Sequence, residues 1–146
     1  MKIEIDQSGK VEKTSVKTVI ADSLGNNVVV SSKDKRFVQN LYRKAGKPRM
    51  FVYELFSLLV AHLIKQSFTK NNLYIIDIEY FHKDDLLTQL IFQFLKKLKI
   101  YAEKEQIIFS RIGRKSKAHT EAYLRYLGKR KAKVFSITQI LKILLH

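Results

Sequence analysis

The 146-residue chain contains no cysteine. That removes disulfide frameworks, thiolate zinc sites and cysteine nucleophiles, and it fits a reducing compartment. Pro48 is the single proline, and there are five glycines. So few breakers mean mostly regular structure joined by short connections. No apolar run is long enough to span a bilayer: the best, residues 50–64, is short and carries Glu54 and His62. The first residues lack the apolar core of a secretory signal. The expectation is a cytoplasmic protein with no membrane partner. Acidic residues are the other shortage, 13 against 28 lysines and arginines, which leaves a formal charge of +15. An excess of one sign this large, and clustered along the chain, points to a polyanionic partner, nucleic acid before anionic membrane.

Hydrophobic residues make up 46% of the chain, enough for one core, and a single domain over residues 1–146 is expected. Strands are predicted over 2–8, 16–23 and 28–32, with a turn at 24–27 between the last two. Three strands in close succession read as an antiparallel meander. A basic helix follows over 33–44, with Phe37, Val38 and Leu41 on its apolar side. Residues 45–48 break it, and Pro48 suits the first position of a largely apolar, buried helix over 48–66. Within that helix Glu54 aligns with Ser57, Ala61 and Lys65, a face that could be solvated.

Residues 72–80 read as a strand covered on both faces and ending in carboxylates. A helix is predicted over 82–99, with Asp84 and Asp85 in its first turn and lysines in its last. A strand over 106–113 follows, then a helix over 116–128 between Ser116 and Gly128. A last helix over 136–145 opens on a Ser-x-x-Gln capping box. It should pack on the sheet, although its apolar face could instead make a homodimer. The expected fold class is α/β: three antiparallel strands, then alternating β and α, in a mixed sheet with helices on both faces.

The acids fall in suggestive places. Asp6 lies near the end of the first strand. Asp77 and Glu79, two apart, share a face at the end of the fourth. If these strands are parallel neighbours, the three carboxylates converge where open α/β sheets bind ligands. Hard oxygen donors suit Mg²⁺ or Mn²⁺. Two such ions about 3.5–4 Å apart can clamp the attacking and leaving oxygens of a phosphodiester. Ordinary strand-end acids that cap helices or pair with lysine remain the alternative. The helix over 116–128 offers His119 and Glu121 as a further ligand or general base, and Glu54 is another candidate.

The order of elements over roughly residues 1–128, with this placement of acids, resembles the ribonuclease H-like superfamily. That superfamily includes ribonucleases H, transposase and integrase cores, and Holliday-junction resolvases. The resemblance implies a metal ligand at Asp6, a second at Glu79 or Asp77, and a third catalytic group at His119 or Glu121. Glu54 would correspond to the helical glutamate of ribonucleases H proper, whereas "DIEY" is closer to the resolvase branch. The chain departs from ribonucleases H in reading Asp-Gln-Ser-Gly at the first acid, and it has no Asp in the late helix. The implied activity is Mg²⁺-dependent endonuclease or resolvase-type hydrolysis leaving a 3′-hydroxyl and a 5′-phosphate. The same topology also serves non-catalytic RNA- and DNA-binding modules.

Two basic clusters should supply phosphate contacts. One contains Lys33, Lys35, Arg36, Arg43, Lys44, Lys47 and Arg49. The other contains Arg111, Arg114, Lys115 and Lys117, in a loop leading to a helix N-terminus, and continues with Arg125, Lys129, Arg130, Lys131 and Lys133. Tyr42, Tyr123 and Tyr126 are interleaved with them. They could stack on bases, although core packing is the expectation for Tyr123 and Tyr126.

Overall fold

In the computed structural model, which describes residues 1–146, side-chain alternation sets the first strand. β1 (Lys2–Ser8) turns Ile3, Ile5 and Gln7 to one face and Glu4 and Asp6 to the other. β2 (Thr18–Asp22) pairs antiparallel with β1, and β3 (Asn27–Val30) antiparallel with β2. Buried Asp22 closes the turn between them by accepting from the backbone N–H groups of Leu24 and Asn26. β4 (Leu73–Asp77) lies parallel to β1 and β5 (Ile107–Ser110) parallel to β4, giving the order β3-β2-β1-β4-β5. The protein is therefore α/β, a five-stranded mixed sheet with five α-helices. No helix is long and apolar enough to cross a membrane.

Opposite faces of the sheet are covered by different helices. Ile3, Ile5, Ile20, Tyr74 and Ile76 share one core with residues of α2 (Met50–Lys65) and α3 (Asp84–Lys97). α4 (Lys117–Tyr126) lies over the other face, where Ala118 and Ala122 are buried and small enough to let it approach closely. Ser116 fixes that helix at both levels. It caps α4 by accepting from the Ala118 N–H, and its hydroxyl donates to Glu4 Oε1 of β1 at 2.9 Å.

Several elements differ from the sequence expectation for identifiable reasons. β4 ends at Asp77 rather than at residue 80. α2 begins at Met50, two residues after Pro48, and Ser57 and Ala61 on the Glu54 side are buried rather than solvated. α1 (Ser32–Lys44) buries Lys35 and Val38 and leaves Phe37 half exposed. The reason is Lys35 itself, which enters the interior and donates to Lys10 O, Lys13 O and Thr18 Oγ1. It is thus removed from the basic cluster expected to meet a partner. α5 (Ile137–Leu144) docks beside α1, where Asp34 accepts from the Ile137 N–H, rather than on the sheet. The residues before it add a bridge to the edge of β3: Val29 N–H donates to Lys133 O and Phe135 N–H to Val29 O.

Candidate metal centre

Strand register builds the site. Ile5 of β1 lies opposite Ile76 of β4, so one residue further on Asp6 and Asp77 lie side by side. Both project from the α4 face at the carboxyl ends of adjacent parallel strands. The chain then leaves the sheet at Ile78, and Glu79 reaches the same place from beyond the strand end. The shared face expected from a strand over 72–80 is therefore not how Glu79 arrives. Carboxylate oxygens of Asp6, Asp77 and Glu79 lie within 4.8 Å of one another. Both Asp77 and Glu79 join Asp6.

Each acid is held by specific contacts. Asp6 is 6% exposed, accepts from the Gln7 N–H at 2.8 Å through Oδ1, and meets His119 Nδ1 at 2.9 Å through Oδ2. A neutral imidazole that donates from Nδ1 to this carboxylate presents Nε2 as its acceptor. Asp77 Oδ1 accepts from the Ile112 N–H at 3.0 Å. That bond ties the basic loop to the acids. Asp77, Ile78, Arg111, Gly113 and Arg114 line a cavity of about 270 Å³.

Three acids this close cannot all ionise cheaply. Burial, then the charge of Asp6 and a hydrogen bond shared with it, push the Glu79 carboxyl up to about 8, with Asp77 adding to the rise. Burial also raises Asp6, while its bond with His119 opposes the rise. A divalent cation relieves this repulsion, and an all-carboxylate donor set fits Mg²⁺ or Mn²⁺.

The sign for stability follows from Glu79. Its folded pKa lies above the ordinary 4.5, so the folded chain retains a proton that the unfolded chain gives up. Stability without metal therefore falls as pH rises from about 4.5 through about 8. Glu79→Gln should remove most of that fall. Urea unfolding in EDTA is expected to show the variant gaining on the wild type between acidic and mildly alkaline pH.

Sequence reasoning did not pick out a polar support behind the acids. Gln7 is buried on the α2 face and donates from Nε2 to Tyr80 Oη at 3.2 Å. The Tyr80 hydroxyl donates to Glu12 Oε1 at 3.1 Å, and its ring packs edge-on against Tyr53 and Phe56. Gln7 Oε1 is buried without a partner. The available signal was the alternation Ile3, Ile5, Gln7, which puts an amide where a core residue belongs.

Other candidate residues lie elsewhere. Two positions on from His119, Glu121 projects from nearly the opposite side of α4. It is buried and paired with Arg125 and Arg130, whose hydrogen bonds overcome burial and hold it below the ordinary range. Glu54 lines a separate cavity with Tyr42 and Lys47. Arg111, Arg114, Lys115 and Lys117 are exposed, the first two in the cavity beside Asp77. Arg36 and Arg43 are exposed on α1, and Lys47 and Arg49 in the connection to α2. Arg49 shares a cavity with Glu12 and Tyr80. Tyr126 is partly buried against Gly9, but Tyr123 is 49% exposed rather than core. A scan against protein-family models and searches of curated proteins and of solved structures found no match to this chain.

Proposed function

We propose that the protein is a metal-dependent nuclease or resolvase-type phosphodiesterase of ribonuclease H-like architecture. The observation that carries this reading is the convergence of Asp6, Asp77 and Glu79 at the ends of adjacent parallel strands, with His119 bonded to Asp6. The strand order β3-β2-β1-β4-β5, with β1 to β3 antiparallel and β4 and β5 parallel to β1, supports the architectural half. The charge of +15 supports nucleic acid as substrate. A cytoplasmic setting belongs to the same reading and rests on the absence of cysteine.

Asp6, Asp77 and Glu79 would hold Mg²⁺ or Mn²⁺, most simply two ions for in-line displacement. Bound there, the metal supplies the Lewis acid that polarises the phosphodiester. The remaining work falls to the chain. Arg111 and Arg114 seat a phosphate against the acids. The Nε2 of His119 would accept a proton from the water whose oxygen bonds to phosphorus as the P–O3′ bond breaks, the departing 3′ oxygen taking its proton from solvent, and Asp6 would stabilise the imidazolium that results. Gln7, anchored by Tyr80, favours the ionised form of Glu79.

The test is incubation of the purified protein with labelled single strand, duplex, RNA–DNA hybrid and four-way junction, each with Mg²⁺, Mn²⁺ or EDTA. Cutting that needs metal supports the reading. Salt-sensitive binding without cutting on every substrate would make the protein a non-catalytic nucleic-acid-binding module. The arginine roles make a separate prediction. Arg111→Ala with Arg114→Ala should weaken binding on all substrates and flatten the log–log salt slope by about 2. Titrations at several salt concentrations check it, and an unchanged slope would remove these arginines from the interface.

A further inference from the structure

We infer that Tyr123 is a stacking platform for an unpaired nucleobase beside the cleavage position. The substrate is then a strand with at least one unpaired nucleotide there, rather than continuous duplex. This rests on the nuclease reading and narrows its substrate class.

The platform is set by helix geometry. His119, Tyr123 and Leu127 are spaced four apart along one flank of α4 and its end, and all three reach solvent. The side chain of His119 is 39% exposed although its Nδ1 is bonded to the buried acid. Tyr123 is 49% exposed, and its ring lies nearly parallel to that of His119, 11° between planes and 6.3 Å between centroids. The next tyrosine makes the contrast: Tyr126 packs against Gly9 and Lys17. Tyr123 therefore offers a flat π-face one helical turn, about 5–6 Å, from the histidine at the acids.

Charge identifies what lies on that face. Arg111 and Arg114 rim the acids on the Asp77 side, and His119 with Tyr123 flanks them on the Asp6 side. A strand crossing the acids meets phosphate-binding groups on one side and an aromatic surface on the other. That pairing of a basic rim with an exposed ring is how single strands are bound without sequence preference. A base inside continuous duplex has both faces covered by its neighbours and cannot stack on a side chain. Only an unpaired, flipped or branch-point nucleotide can.

The experiment separates this inference from the nuclease reading. Binding is measured in EDTA, where chemistry plays no part, using a fluorescent single strand and the matched duplex. A 2-aminopurine in the single strand reports stacking. Tyr123→Ala should weaken single-strand binding about ten-fold and lose the 2-aminopurine quenching. Tyr123→Phe should keep both, and duplex affinity should not change. The inference is overturned if Tyr123→Ala binds the single strand like the wild type, or weakens single strand and duplex alike. Cleavage is scored separately in Mg²⁺. Absent cleavage with an intact EDTA result removes the nuclease reading, and the cleavage position with it, and leaves Tyr123 as a stacking contact for an unpaired base. Normal cleavage with an indifferent Tyr123→Ala removes the platform alone.

Discussion

Asp6→Asn is expected to lower metal-dependent cleavage by about 10³-fold or more while leaving nucleic-acid binding unchanged or tighter. Asparagine preserves the size of the side chain and one oxygen that can accept from the Gln7 N–H or from His119. What it removes is the charge at the centre of the acids. Without it a bound metal would lose its buried ligand, and several kcal/mol of Lewis-acid stabilisation would go with it, at about 1.36 kcal/mol per decade of rate. Binding moves the other way, because a negative charge near a bound polyanion has been deleted. His119→Ala should be milder, about 10²-fold, since it would remove the proposed general base and leave the proposed ligands whole. Single-turnover cleavage and EDTA binding on the same substrate measure both effects. Undiminished cleavage by Asp6→Asn would end the metal-centre account.

The largest expected effect on stability lies away from the acids. Lys35→Ala should cost about 4 kcal/mol in urea unfolding. Lys35 is fully buried, and its ammonium donates to Lys10 O, Lys13 O and Thr18 Oγ1 at 3.2, 2.7 and 2.9 Å. Burial pulls its pKa down to about 8, against the charge of Glu12, so it is still mostly protonated at neutral pH. Alanine takes the ammonium away from two carbonyls, each of which keeps one backbone N–H donor, and from the Thr18 hydroxyl, and it opens space where the stem lay. The consequence extends to the site. Lys10 and Lys13 bracket Glu12, which accepts from Tyr80, and Tyr80 in turn holds Gln7 beside Glu79. Metal affinity should fall along with stability. A loss below about 1 kcal/mol would mean that water replaces the ammonium without penalty.

Lys35 also shows where the sequence stops being legible. Within Lys33-Asp34-Lys35-Arg36 it is one more positive charge, and nothing local marks it as the residue that turns inward. Only the β1–β2 connection, whose carbonyls and the Thr18 hydroxyl converge on the ammonium, decides that, and this contact spans 17–25 residues of sequence. The same connection explains why Phe37 turned outward. By contrast, β1 was readable to the residue from the alternation of Ile3 and Ile5, and Ser116 and Ser136 were readable as caps. The convergence of the acids was readable once β1 and β4 were taken as parallel neighbours. The arrival of Glu79 from beyond its strand was not. Strand period says nothing about a chain that has left the sheet. His119 and Glu121 could not be ranked from spacing alone. The ranking came from Arg125 and Arg130, which claim Glu121, and from Ser116, which sets the rotation of α4 over β1.

The most direct measurement of the central claim is calorimetric titration of the wild type, Asp6→Asn and Asp77→Asn with Mn²⁺ near neutral pH, in buffers of different ionisation enthalpy. The wild type should bind saturably and release protons, because the Glu79 carboxyl, held up to about 8 by burial and its neighbours, must ionise to ligate. Both variants should lose that signal. The absence of saturable binding by the wild type, or equal binding by all three proteins, would contradict the assignment of these acids as a metal centre.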